Sequence, residues 1–280
     1  MLKSTSPTPA DSSFGAIRRA VPWSDHLLED RRGGRVSVRS YGHAGLSGPC
    51  LIWTHGGSWI RGSVEQWHSS FSTLAQLLEG TLISVRYSLA PQFTHPTQTS
   101  ELLTAVNVIR ELNAPEVPVV VGGDSAGGTI AASASLCRPD LIDAAVLAYP
   151  PLDPECSKPS YQQSGRFPHR ADLVAAWEAY RGTERAPQIP ISPILLPDLS
   201  ASPPVSLIVG ESDPVRDDVR RYSSNLKEAG VTVRLAELGN VHHGDFLQST
   251  PILRSPVLDW VAAETNHYFS KGTQDDSLNT

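Results

Sequence analysis

Ser125 sits in Gly123-Asp124-Ser125-Ala126-Gly127, behind the β-branched run Val117-Pro118-Val119-Val120-Val121 and ahead of a small-residue stretch from Ala126 to Cys137. A G-x-S-x-G element between a buried strand and a helix is the sequence form of a nucleophile elbow, a sharp turn that presents a serine hydroxyl. Glycines at 123 and 127 suit such a bend, because side chains there would collide with the neighbouring strand or helix. The helix N-terminus behind Ser125 brings free N–H groups and the positive end of a dipole, which favour a transient oxyanion. A serine hydroxyl is a weak nucleophile at neutral pH; it needs a base to take its proton and an acid to orient that base.

Both partners are expected on later loops at strand ends. Asp213 lies in Gly210-Glu211-Ser212-Asp213-Pro214, after the apolar run Val205 to Val209, and His243 lies in Val241-His242-His243-Gly244, after Val231 to Leu235. The order Ser, Asp, His is one of the known triad orders. Asp213 is preferred over Glu211, Asp217 and Asp218, the last two reading as helix-start residues that favour the dipole. His243 is preferred as base and His242 stays its rival; His95, His169 and His267 have no strand-end setting and read as surface or structural. Ahead of the elbow, Trp53-Thr54-His55-Gly56-Gly57-Ser58-Trp59 offers consecutive glycines whose N–H groups can approach a substrate oxygen. Gly56, Gly57 and Ala126 are therefore the expected oxyanion donors, each worth on the order of 10²–10³ in rate. His55 reads as a brace for that loop.

Positioning such groups requires strands alternating with helices. Cys50 to Trp53, Leu82 to Val85, Val117 to Val121 and Val146 to Ala148 are short apolar runs of the kind buried in parallel sheets, while Arg35 to Tyr41 alternates like a half-exposed edge strand. Helical spacing marks Ser69 to Leu78, Ser100 to Asn113, Ala171 to Tyr180, Asp217 to Ala229 and Pro256 to Phe269. The expected fold is α/β: a mostly parallel central sheet with helices on both faces and a small helical cap. One domain is expected over residues 14–270, with the cap inserted at about 151–190, where Pro-, Ser- and Tyr-containing sequence breaks the alternation. Residues 1–13 and 271–280 are polar and read as flexible tails.

The chain resembles the hormone-sensitive-lipase family of α/β-hydrolase esterases, also called the HGGG or type IV bacterial esterases. The resemblance spans most of residues 50–270. It is carried by His55-Gly56-Gly57-Ser58-Trp59-Ile60-Arg61-Gly62 for the HGGG loop, Tyr87-Ser88-Leu89-Ala90-Pro91 for Y-R-L-A-P, and Gly122-Gly123-Asp124-Ser125-Ala126-Gly127-Gly128 for G-D-S-A-G-G. Ile191-Ser192-Pro193, Asp213-Pro214-Val215-Arg216-Asp217 and His243-Gly244 match the later signatures. The resemblance implies Asp213 as acid, His243 as base, and a serine carboxylic-ester hydrolase acting on short to medium acyl or acetyl esters of small molecules. Departures are Ser58 where a glycine is usual, Ser88 where an arginine is usual, and Asp245 where an aromatic is usual. A short region before residue 36 implies a smaller lid.

The 280 residues are 40 % hydrophobic and 19 % charged with a formal net charge of -6, which suits one large domain with a substantial core. The acidic balance, with no basic cluster beyond Arg18-Arg19 and Arg31-Arg32, argues against nucleic acid as a partner. No run has signal-peptide or membrane-spanning character, so a soluble cytoplasmic protein is expected. Cys50, Cys137 and Cys156 are too scattered for a disulfide framework or a zinc site, and neither metal nor organic cofactor is expected. Ser58, Trp59 and Trp177 are candidates for the substrate pocket, although aromatic residues such as Trp59, Trp67, Tyr161, Phe167, Trp177 and Tyr180 more often pack the core than touch a ligand. Two other readings stay open: an amide hydrolase, deacetylase or acyltransferase using the same triad, and a non-catalytic small-molecule binder such as the plant gibberellin receptors, which resemble this family but lack a working base.

Overall fold

A computed structural model describes residues 21–163, 165–182, 189–247 and 255–272. Its strands are β1 (Trp23–Glu29), β2 (Arg35–Tyr41), β3 (Cys50–Thr54), β4 (Thr81–Arg86), β5 (Val119–Asp124), β6 (Ala144–Ala148), β7 (Val205–Gly210) and β8 (Val233–Leu238). They form one sheet in the order β1-β2-β4-β3-β5-β6-β7-β8, antiparallel at β1/β2 and β2/β4 and parallel from β4 onward. The helices are α1 (Val64–Ala75), α2 (Thr97–Leu112), α3 (Ala126–Cys137), α4 (Arg170–Arg181), α5 (Arg216–Glu228) and α6 (Pro256–Gly272). α1 packs with α6, and α2 packs with α3. Every residue of β3, β5, β6 and β7 is buried, as expected where helices cover both faces of parallel strands and apolar runs replace alternation. The α/β reading of the sequence is correct.

Some boundaries differ for local reasons. Arg35–Tyr41 is paired on both sides, because β1 forms the edge beyond it. α1 starts at Val64, where the Ser63 hydroxyl accepts the N–H of Gln66 at 3.2 Å. β8 begins at Val233 and continues to Leu238. Residues 1–13 and 273–280 of the expected tails lie outside the described residues, and α6 extends over 271–272.

The central crossover fixes the elbow. β3 and β5 pair in register with Thr54 opposite Gly123, and a Cβ on Gly127 would lie 1.9 Å from the Thr54 carbonyl oxygen. Only glycine lets α3 start that close to β3. Thr54 Oγ1 then ties strand to helix by donating to the carbonyls of Gly127 at 2.8 Å and Gly122 at 3.2 Å.

The segment after β6 is held down by the first turn of α5. The buried Asp218 carboxyl accepts the N–H groups of Leu152 and Asp153, both at 2.8 Å, and the Tyr161 hydroxyl at 2.5 Å. Asp217 accepts the Ser160 N–H at 2.9 Å. Both aspartates are helix-start residues, yet they act as anchors for a distant segment, which spacing alone does not reveal. Burial pushes the Asp218 carboxyl up to about 6 from its ordinary 3.8. Between those values the folded chain binds this proton more tightly than the unfolded chain, so the residue's contribution to stability falls as pH rises through about 6. Asp218→Asn lacks that dependence. The melting temperature of the native chain minus that of the variant should therefore shrink from pH 4 to 7 and then level off, measured by thermal denaturation; a widening difference would contradict this.

Candidate active site

Ser125 occupies the turn between β5 and α3 with φ +50° and ψ −121°. A non-glycine residue is held in that sparsely populated region only when its surroundings impose it, at a cost of about 1–3 kcal/mol. Here the Ser125 N–H donates to the Ala148 carbonyl of β6 at 2.9 Å. Ser125 Oγ lies 2.8 Å from His243 Nε2, and His243 Nδ1 lies 3.0 and 3.1 Å from the two carboxyl oxygens of Asp213.

The acid and base stand on the loops after β7 and β8. Asp213 Oδ1 also accepts the Val215 N–H at 3.0 Å, so the carboxyl is held from both sides. The His243 ring packs beside Tyr149, at 4.7 Å between centroids, and edge-on to Phe167 at 5.7 Å. Its rival His242 is turned away, with 65 % of its side chain exposed. Asp245, the residue that departs from the family pattern, accepts the His242 N–H at 2.7 Å and closes this turn.

Asp124 is a residue whose role the sequence reading missed. Its buried carboxyl accepts the indole N–H of Trp53 at 3.0 Å and of Trp67 at 3.1 Å. Burial pushes it up to about 6, while these bonds and the N–H of Gly56 pull it down. The Gly56 N–H thus interacts with Asp124 and is, of the expected oxyanion donors, the one with a competing acceptor. Gly57 (φ +116°), Ser58 (φ +54°) and Trp59 (φ +61°) continue the loop in left-handed conformations. Successive N–H groups in such turns converge on one side. Those of Gly57 and Ser58 have no hydrogen bond among the described residues, and neither does that of Ala126 at the start of α3. Gly57 tolerates no side chain, since a Cβ would lie 2.0 Å from the Arg61 carbonyl oxygen.

Trp59 and Trp177 do not line the cavity, which corrects the sequence reading. Both are fully buried and pack at 4.2 Å between centroids, and Trp59 stacks on Tyr180 at 4.6 Å. The Trp59 ring instead pins the strained Ser58–Trp59 turn to α4. His55 braces the same loop: burial pushes its imidazole down to about 4, and its Nδ1 lies 2.7 Å from the Gly56 carbonyl oxygen. Tyr87 stacks on that ring at 4.4 Å and donates to the His55 carbonyl at 2.9 Å. Ser88, in place of an arginine, gives its N–H and hydroxyl to Glu101 at 2.7 and 2.6 Å.

Ser125 and His243 open into a cavity of about 500 Å³, also lined by Ser58, Arg61, Trp67 and Phe167. This is the size of a small-molecule site. Among the described residues no helix is long and apolar enough to cross a membrane.

The α/β hydrolase fold family matches residues 51–247. Ethyl acetate hydrolase of Pseudomonas putida is 32 % identical over 249 residues, covering 82 % of this chain and 77 % of the relative. Carboxylesterase NlhH of Mycobacterium tuberculosis is 30 % identical over 241 residues, covering 75 % of each. Among solved structures, a fungal esterase from Rhizomucor miehei superposes with a TM-score of 0.78 at 26 % identity, covering 90 % of this chain and 85 % of that one. The matched span contains all of Ser125, Asp213 and His243, and the chain belongs to the hormone-sensitive-lipase-like family of α/β-hydrolases.

Proposed function

We propose that the chain is a carboxylic-ester hydrolase that works through an acyl-enzyme on Ser125, acting on short to medium acyl or acetyl esters of small molecules. The observation that carries this reading is the continuous hydrogen-bonded relay from Ser125 Oγ through His243 to Asp213 at the wall of a cavity. Relatives named for ethyl acetate and carboxylic esters support the reaction class. His243 Nε2 takes the Ser125 proton as Oγ attacks the ester carbonyl, and the carbonyl π electrons move onto oxygen. The N–H groups of Gly57, Ser58 and Ala126 hold that oxyanion. When it collapses, the bond to the alcohol oxygen breaks and His243 returns the proton to it. Water, deprotonated by the same nitrogen, then releases the acid and restores the serine.

Asp213 keeps the proton on Nδ1, leaving Nε2 free to accept. Asp213→Asn should lower kcat about 10⁴-fold, since an amide favours the wrong imidazole tautomer; a loss below tenfold in steady-state assays would remove Asp213 from the relay. The segment at about 151–190 acts as the cap, with Phe167 and Pro168 contributing to the cavity wall. A non-catalytic binder would not need a base seated against the serine. Treatment with a fluorophosphonate, followed by peptide mass spectrometry, tests the assignment: modification is expected at Ser125, and modification elsewhere with Ser125 intact would refute it.

A further inference from the structure

We propose that Arg61 makes this site selective for esters that carry a carboxylate, a deepening that rests on the ester-hydrolase reading. Arg61 lines the same cavity as Ser125 and His243. Its side chain is exposed and, among the described residues, forms no hydrogen bond or ion pair. In this acidic chain Arg39, Arg110, Arg138 and Arg220 each hold a carboxylate, whereas Arg61 presents its guanidinium to the cavity. The nearest acid in sequence, Glu65, is turned away onto Arg86 at 2.7 Å. The acid in the cavity wall, Asp124, is occupied by two indoles.

The rest of the wall offers no competing charge close to Arg61. Gln66, on the first turn of α1, contributes a neutral amide, and Phe167, Pro168 and Leu247 contribute apolar surface. A guanidinium fork matches a carboxylate with two parallel hydrogen bonds, and low-polarity walls weaken the screening that water imposes. Arg61 is also placed relative to the chemistry: its N–H donates to the Gly57 carbonyl at 3.1 Å, in the same turn that presents the oxyanion donors. A carboxylate bound by Arg61 sits in the same cavity as the scissile carbonyl, so the charge bears on orientation as well as affinity.

Carboxylate and carboxamide isosteres test this. The acyl-side arm compares monomethyl glutarate with methyl glutaramate; the alcohol-side arm compares 3-carboxyphenyl butyrate with 3-carbamoylphenyl butyrate. In at least one arm kcat/KM should be about tenfold higher for the carboxylate. Arg61→Gln should lower that ratio about tenfold, Arg61→Glu should invert it, and 0.5 M salt should reduce it. Arg166, which lines the adjoining cleft with His242, is the control for net charge, and Arg166→Gln should leave the ratio within twofold. Turnover of the esters without preference for either carboxylate, or a preference that survives in Arg61→Gln, overturns the inference alone. No turnover of any ester overturns the ester-hydrolase reading with it.

Discussion

Ser125→Ala should lower kcat for 4-nitrophenyl butyrate by about 10⁴- to 10⁶-fold while leaving the chain folded. The size follows from what the hydroxyl does in the proposed cycle: without Oγ no acyl-enzyme forms, and only oxyanion stabilisation and binding remain to assist attack by water. The folding expectation follows from the few contacts that the substitution removes. Among the described residues Ser125 Oγ has one hydrogen bond, to His243, worth about 1 kcal/mol net. The backbone conformation is imposed by the Ala148 carbonyl and by the approach of α3 to β3, both of which survive the change. Retention of the fold is checked by circular dichroism and melting temperature, and turnover by steady-state kinetics. Near-native turnover in a folded variant would remove Ser125 from the chemistry.

The elbow and the relay were legible because their residues are tied to the backbone path. Gly127 must be small for α3 to start against Thr54, and Asp213 and His243 follow the strands β7 and β8 that bring their loops together. The setting of Gly56 is less legible for the opposite reason. In sequence the N–H groups of Gly56 and Gly57 are equivalent, and only the folded position of Asp124 gives one of them a competing acceptor. Trp59 and Trp177 show the same limit, since an aromatic type does not say whether its ring faces a cavity or a neighbouring ring. β1 carries too little apolar pattern to be seen, being largely exposed and held by backbone pairing to β2. The start of α1 did have a signal: Ser63-Val64-Glu65-Gln66 is an S-x-x-Q capping sequence.

The adjacent histidines give the sharpest separation of roles. His243→Ala should cost about 10⁶-fold in kcat and abolish the burst of acyl-enzyme, whereas His242→Ala should change kcat by less than about threefold. Both substitutions delete an imidazole from the same loop, so any difference reports position. His243 is 7 % exposed, wedged beside Tyr149 and Phe167 and bonded to both partners. The His242 side chain is 65 % exposed, and the tie that closes its turn runs from its backbone N–H to Asp245, which alanine preserves. His243→Ala carries a second consequence, because it leaves the buried Asp213 without the imidazole N–H, and an unsatisfied buried acceptor costs about 1–3 kcal/mol, more when it is charged. His243→Asn distinguishes lost chemistry from lost stability: its amide can still donate toward Asp213 but cannot serve as a base. The asparagine variant should melt closer to the native chain than the alanine variant does and be equally inactive. Recovery of the burst in His243→Asn, or its loss in His242→Ala, would transfer the base to another residue.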